Sequence, residues 1–159
     1  MAVKSARAPA RSAEESATRS WLSVVRAYNL CDALMARRLG AVGVRTAEHE
    51  ILANLKREPG LSQQTLAARC FTAKSHISGL LSDLEARGWV RRDADPADAR
   101  AKRLFLTAAG ARMAERTAQV QADVVALMSA ATGAAALSQV QAAMSAVSER
   151  LQAELDSGD

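Results

Sequence analysis

The residues best suited to chemistry cluster between positions 61 and 107. Lys74, Ser75, His76 and Ser78 stand almost side by side, and each carries a group that hydrogen-bonds to base edges or phosphate oxygens. Arg91, Arg92, Arg100, Lys102 and Arg103 follow, with Asp98 among them, so positive charge is concentrated in one short stretch. Ser62, Gln63 and Thr72 fall where helices should begin, and a helix N-terminus directs its free N–H groups at phosphate. These are the groups of a surface that contacts DNA. No Gly-rich phosphate loop, nucleophile elbow or nucleophile–base pair accompanies them, so enzymatic activity is not expected. The neighbours Ser75 and His76 are better explained by hydrogen bonding to DNA than by nucleophilic catalysis.

The elements that would position these groups can be read in order. Ser62 is an N-cap candidate, and Leu61 and Leu66 have the spacing of a hydrophobic staple. The helix that follows turns Leu66, Ala67 and Cys70 inward and stops near Phe71. Thr72 is the next cap candidate, opening a helix in which Ile77, Leu80, Leu81 and Leu84 recur at i, i+3, i+4 and i+7. Gly88 sits where a left-handed cap residue belongs, with Trp89 as the apolar contact beyond it. Two helices across so short a turn, the second with a small polar outer face, suit major-groove docking. Residues 89–92 and 103–106 are β-prone, and Asp95-Pro96 suits a type I turn between them. An arginine at the tip of that hairpin can enter a narrow minor groove, where negative potential is focused. The expected architecture is mainly α with a small β-hairpin wing: a winged helix-turn-helix flanked by further helices.

The sequence Leu84-Glu85-Ala86-Arg87-Gly88-Trp89-Val90-Arg91-Arg92, then Asp95-Pro96-Ala97-Asp98-Ala99-Arg100, then Leu104-Phe105-Leu106-Thr107-Ala108-Ala109-Gly110 resembles the MarR family of bacterial winged-helix regulators. Trp89 stands where the family usually has leucine, and the resemblance runs from about Trp21 to Leu155. It implies that Arg100 enters the minor groove, that Asp98 orients it, and that the helix from Ala73 to Arg87 reads the major groove. This chain has Gly79 where many members carry arginine, so one phosphate or base contact is expected to be missing and Lys74 or His76 to carry more of the work.

The remaining residues fit that frame. At 159 residues the chain is of ordinary single-domain size, and a net charge of +4 excludes a polybasic coat. Residues 1–11, with Lys4, Arg7, Pro9 and Arg11 among alanines, are expected to form a disordered basic tail. Ser12 with Glu15 suggests a capping box for a helix over 12–40 that carries Trp21, Val24, Val25, Tyr28, Cys31 and Met35 on one face. Thr46 is expected to cap a helix ended by Pro59-Gly60, inside a winged helix-turn-helix domain spanning 41–107. Over 108–159, Thr107 would cap a long helix broken at Gly133, before a last helix with Leu137, Val140, Met144, Val147, Leu151 and Leu155 at coiled-coil spacing. Packing within one subunit is the alternative for such a stripe. The resemblance implies instead that the first and last helices intertwine as a homodimer. Two-fold symmetry then implies a pseudo-palindromic double-stranded operator, with half-sites roughly 10 bp apart.

The expected function is a ligand-responsive transcriptional repressor; a thiol-based redox regulator acting through Cys31 and a winged-helix protein-interaction module are the alternatives. The resemblance points to a crevice for a small aromatic or anionic effector, for which Trp21, Tyr28 and His49 are candidates, packing being the other role open to each. Cys31 lies in an apolar stripe, where an inert thiol is expected, and Cys70 reads as core. With two histidines, His49 and His76, and no C-x-x-C pair, neither metal nor cofactor is expected. No apolar run approaches the roughly 20 residues of a membrane span, and a reduced, cytoplasmic chain is expected.

Overall fold

The computed structural model describes residues 7–70, 73–96 and 102–158, with residues 7–13 and Lys74 described by backbone alone. The elements run α1 (Arg7–Gly40), α2 (Thr46–Arg57), β1 (Leu61–Ser62), α3 (Gln63–Arg69), α4 (Lys74–Ala86), β2 (Val90–Ala94), β3 (Lys102–Leu106), α5 (Ala108–Thr132) and α6 (Ala134–Ser157). They divide into two compact units, Met1–Val120 and Gln121–Asp159.

The first unit holds a core of Ile51, Leu55, Leu61, Leu66, Ala67, Ile77, Leu80, Leu81, Leu84, Val90 and Leu104. Each helix from α2 to α4 contributes the stripe expected from its periodicity, and the full burial of one leucine contributes about 1.5–3 kcal/mol. The strands form an antiparallel sheet in the order β1-β3-β2, with Val90 opposite Leu106 and Arg92 opposite Leu104. The short strand β1 was not expected. Leu61 and Ser62 pair with Leu104 and Arg103, so the segment entering α3 also extends the wing sheet.

The ends of these helices follow local chemistry. Ser62 Oγ accepts the Thr65 N–H at 3.0 Å, a cap worth about 1 kcal/mol. At the other end of α4, Gly88 has φ +68°; its N–H donates to the Glu85 carbonyl and that of Trp89 to Leu84, closing the left-handed cap. Three expected starts differ. α1 begins at Arg7, so Ser12 lies inside it: the alanines around Pro9 favour helix, and proline is tolerated in a first turn. The cap of α2 is Arg45, whose N–H donates to the Glu48 carboxylate at 2.8 Å, which makes a Thr46 hydroxyl unnecessary. The cap of α4 is Ala73, and Thr72 lies outside the described residues.

α5 is joined to the wing at its first turn. The Gly110 N–H donates to Thr107 Oγ1 at 3.0 Å, while the Thr107 hydroxyl donates to the Gly88 carbonyl at 2.6 Å. The Thr107 N–H donates to the Trp89 carbonyl at 3.0 Å, and a Cβ on Gly110 would overlap that same carbonyl. Only glycine permits this approach.

In the second unit, Gly133 at φ +80° ends α5 and starts α6. Val124 is buried, but Leu127, Met128, Val140, Val147, Leu151 and Leu155 are exposed, and no residue of α6 is buried. No single helix among the described residues is long and apolar enough to cross a membrane.

Candidate nucleic-acid interface

α4 divides cleanly into two faces. Ile77, Leu80, Leu81 and Leu84 are buried, whereas Ser75, His76, Gly79 and Ser82 are exposed and Ser78 is half-buried. The outer face therefore offers an imidazole and hydroxyls in a shallow layer, with open space around Gly79. Ser82 donates to the Ser78 carbonyl at 3.0 Å, which leaves the oxygen of Ser82 able to accept. Lys74 is placed at the first turn by its backbone. Ser62 and Gln63 open α3, where Ser62 is occupied as the cap and Gln63 lies 3.4 Å from Arg92.

Charge in the wing is less free than the sequence suggests. Arg92 donates to Glu85 at 2.9 Å and is mostly covered, so it ties β2 to α4. Arg103 donates to Asp95 at 2.7 Å, and Arg91 pairs with Asp93 while standing over the Phe105 ring. Lys102 is exposed at the start of β3. Asp98 and Arg100, the pair expected at the tip, lie outside the described residues.

Sequence reasoning missed a group behind this surface. Glu48 is only 2% exposed, and it accepts hydrogen bonds from the Arg45 backbone and side chain, with Arg87 3.4 Å away. Burial alone would raise its pKa, but the hydrogen bonds and charge of Arg45, with the charge of Arg87, outweigh burial and hold the carboxyl below its ordinary value. The same bonds raise Arg45, with Glu48 the largest cause and Asp83 next. The signal was present as Arg45-x-x-Glu48, a helix-start pattern with arginine at the cap.

Residues 42–101 match the family model described as MarR family. A curated relative, transcriptional regulator HosA of Escherichia coli O111:H-, is 32% identical over 66 residues, which are 42% of this chain and 49% of the relative. The match thus spans about half of that relative's length. Over residues 42–101 this chain is therefore similar to the MarR family. Its fold extends the likeness further. A MarR family transcription regulator of known structure superposes with a TM-score of 0.78 at 22% identity, covering 94% of this chain and 99% of that one. The transcriptional repressor CouR, solved bound to a 23-mer DNA duplex, gives 0.73 at 20% identity over 79% of this chain and 89% of its own. The S. aureus MepR–DNA complex gives 0.72 at 19% identity over 82% and 96%.

Much of the pattern that resembles the MarR family proves to be architectural. Leu84 is core, Glu85 holds Arg92, Gly88 closes α4, and Thr107 with Gly110 clamps α5 to the Gly88–Trp89 turn. The three effector candidates occupy different surroundings: Trp21 and Tyr28 are 62% and 69% exposed on α1, whereas His49 is buried in α2. The thiols are free and half-buried. Burial, and then the charge of Glu50, pushes Cys70 up to about 11, so it is a protonated and poor nucleophile at neutral pH. Among the described residues no group of three or more His, Cys, Asp or Glu is placed to hold a metal ion.

Proposed function

We propose that this chain is a sequence-specific regulator of transcription that binds double-stranded DNA as a homodimer and represses nearby genes. The observation that carries the reading is α4: its apolar stripe is buried and its outer face is exposed, polar and shallow, as a helix entering the major groove requires. Ser75 and His76 then contact base edges, Lys74 contacts phosphate, and Asp98 orients Arg100 in the minor groove. Two solved structures of similar fold, CouR bound to a DNA duplex and the MepR–DNA complex, support the DNA-binding reading.

The exposed apolar residues of α1 and α6 support the homodimer, because such surfaces in one copy are matched by the same surfaces in a second. Half-sites should be about one helical turn apart. A small aromatic or anionic effector relieves repression, with Trp21 and Tyr28 as its first candidates.

The test is selection of bound duplexes from a random library, followed by equilibrium titration. The selected duplex should bind at least about 10³-fold more tightly than a random one. Arg100→Ala should lose roughly 1–3 kcal/mol on the selected duplex. Equal affinity for both duplexes contradicts sequence-specific binding, and an unaffected Arg100→Ala contradicts the minor-groove role.

A further inference from the structure

Four charged side chains, Asp83, Arg45, Glu48 and Arg87, form a chain of contacts between the start of α2 and the last turns of α4. Arg45 donates to Glu48 at 2.7 and 3.0 Å and crosses to Asp83 of α4 at 2.9 Å. In the reverse direction Arg87, the C-cap of α4, stands 3.4 Å from both carboxylate oxygens of Glu48. Arg87 also donates to the Gly43 carbonyl at 2.7 Å, and its guanidinium lies 3.6 Å from the centroid of the Trp89 ring. Asp83 and Arg87 are four apart on one helix and would pair with each other on an isolated one. Here each reaches across instead.

Arg87 therefore joins three segments: the turn that leaves α1, the start of α2, and the end of α4. A guanidinium suits this because its planar fork can donate to two acceptors while its face stacks on an aromatic ring; an ammonium cannot do all three. None of these contacts uses the outer face of α4, whose exposed Ser75 and His76 lie toward the other end. The geometry favours leverage. α4 is about 18 Å long, so a tilt of about 5° at Arg87 moves Ser75 by about 1.5 Å. Good hydrogen bonds span a donor–acceptor range of only about 0.5 Å.

We propose that Arg87 is a positioning residue for DNA recognition, fixing the end of α4 to the exit turn of α1 through Gly43 and Glu48. The orientation of the α4 outer face then follows α1. This rests on the DNA-binding reading above.

The test uses full-length protein, the library-selected duplex and a random duplex. At a temperature where circular dichroism shows it folded, Arg87→Ala should bind the selected duplex about tenfold more weakly and the random duplex within about twofold of wild type. The salt slope should be unchanged, because no phosphate contact is lost. Arg87→Lys should recover only part of the affinity. Amide exchange should quicken together at residues 41–44 and 84–89, but not in α3. If Arg87→Ala does not fold, Glu48→Gln, which keeps the shape of the side chain, should show the same pattern more weakly.

Unchanged affinity for the selected duplex in a folded variant overturns the proposal. A salt slope reduced by about one also overturns it, because Arg87 would then itself touch phosphate. If wild type prefers no duplex, the DNA-binding reading has failed. In that case exchange decides the bracket alone: joint quickening supports it, and quickening confined to 84–89 overturns it.

Discussion

Helices α4 and α6 carry apolar stripes of the same kind, with residues recurring every three or four positions, yet their surroundings are opposite. In α4, Ile77, Leu80, Leu81 and Leu84 all enter one core, closed over by α2, α3 and the sheet. In α6, Leu137 and Met144 are half-buried while Val140, Val147, Leu151 and Leu155 stand exposed. α1 shows the same contrast within one element, being exposed from residue 14 to 30 and buried at Met35 and Leu39. A periodic stripe therefore states that a helix needs a partner surface, and not whose. The winged segment supplies its own. The terminal stripes do not, and that is the physical ground for proposing a second copy of the chain.

The contrast can be broken at its stronger side first. Leu81→Ala should destabilise the folded protein by about 2–5 kcal/mol in denaturant unfolding, because the site is fully buried and tightly surrounded. A loss below about 1 kcal/mol would mean that the core is looser than described. On the other side, Leu151→Asp with Leu155→Asp should weaken self-association by more than about tenfold in sedimentation equilibrium. Unchanged association would remove α6 from the interface.

Two smaller effects sharpen the comparison within the winged segment. Gly79 faces open space, so Gly79→Arg should raise stability by up to about 1 kcal/mol through helix propensity and strengthen DNA binding by adding a contact. Weaker binding would place Gly79 against the DNA backbone. The smallest effect is a slope. Because Glu48 is held below its ordinary value of 4.5, its contribution is full above the unfolded-state value and is lost as pH falls through the folded one. Acid unfolding of Glu48→Gln should thus be less steep below about pH 4.5 than that of wild type. Parallel curves would mean that the carboxylate is not held by its arginines.

Much of the winged segment was legible because its signals are local. Ser62, Gly88 and Thr107 act within a few residues of themselves, and the stripe of α4 is a property of its own sequence. What escaped depended on distant partners. β1 forms only because β3 returns beside Leu61. Arg92 reads as free positive charge until Glu85 folds against it. Asp83 and Arg87 look like one intrahelical pair but bind across to Arg45 and Glu48. The capping box at Ser12 failed for a related reason: nothing in the alanine-rich stretch before it stops a helix. The pair on which the sequence reading laid most weight, Asp98 and Arg100, lies outside the described residues, so the motif alone supports its role.

The exposed face of α4 and the wing are proposed to read a DNA sequence together. Equilibrium titration of the full-length protein against its library-selected duplex and a scrambled duplex of equal length, across a range of salt, tests this most directly. The expected result is a preference of at least about 10³-fold for the selected duplex, with both affinities falling as salt rises. Equal affinities with a common salt slope would contradict it, leaving a surface that binds DNA by charge alone.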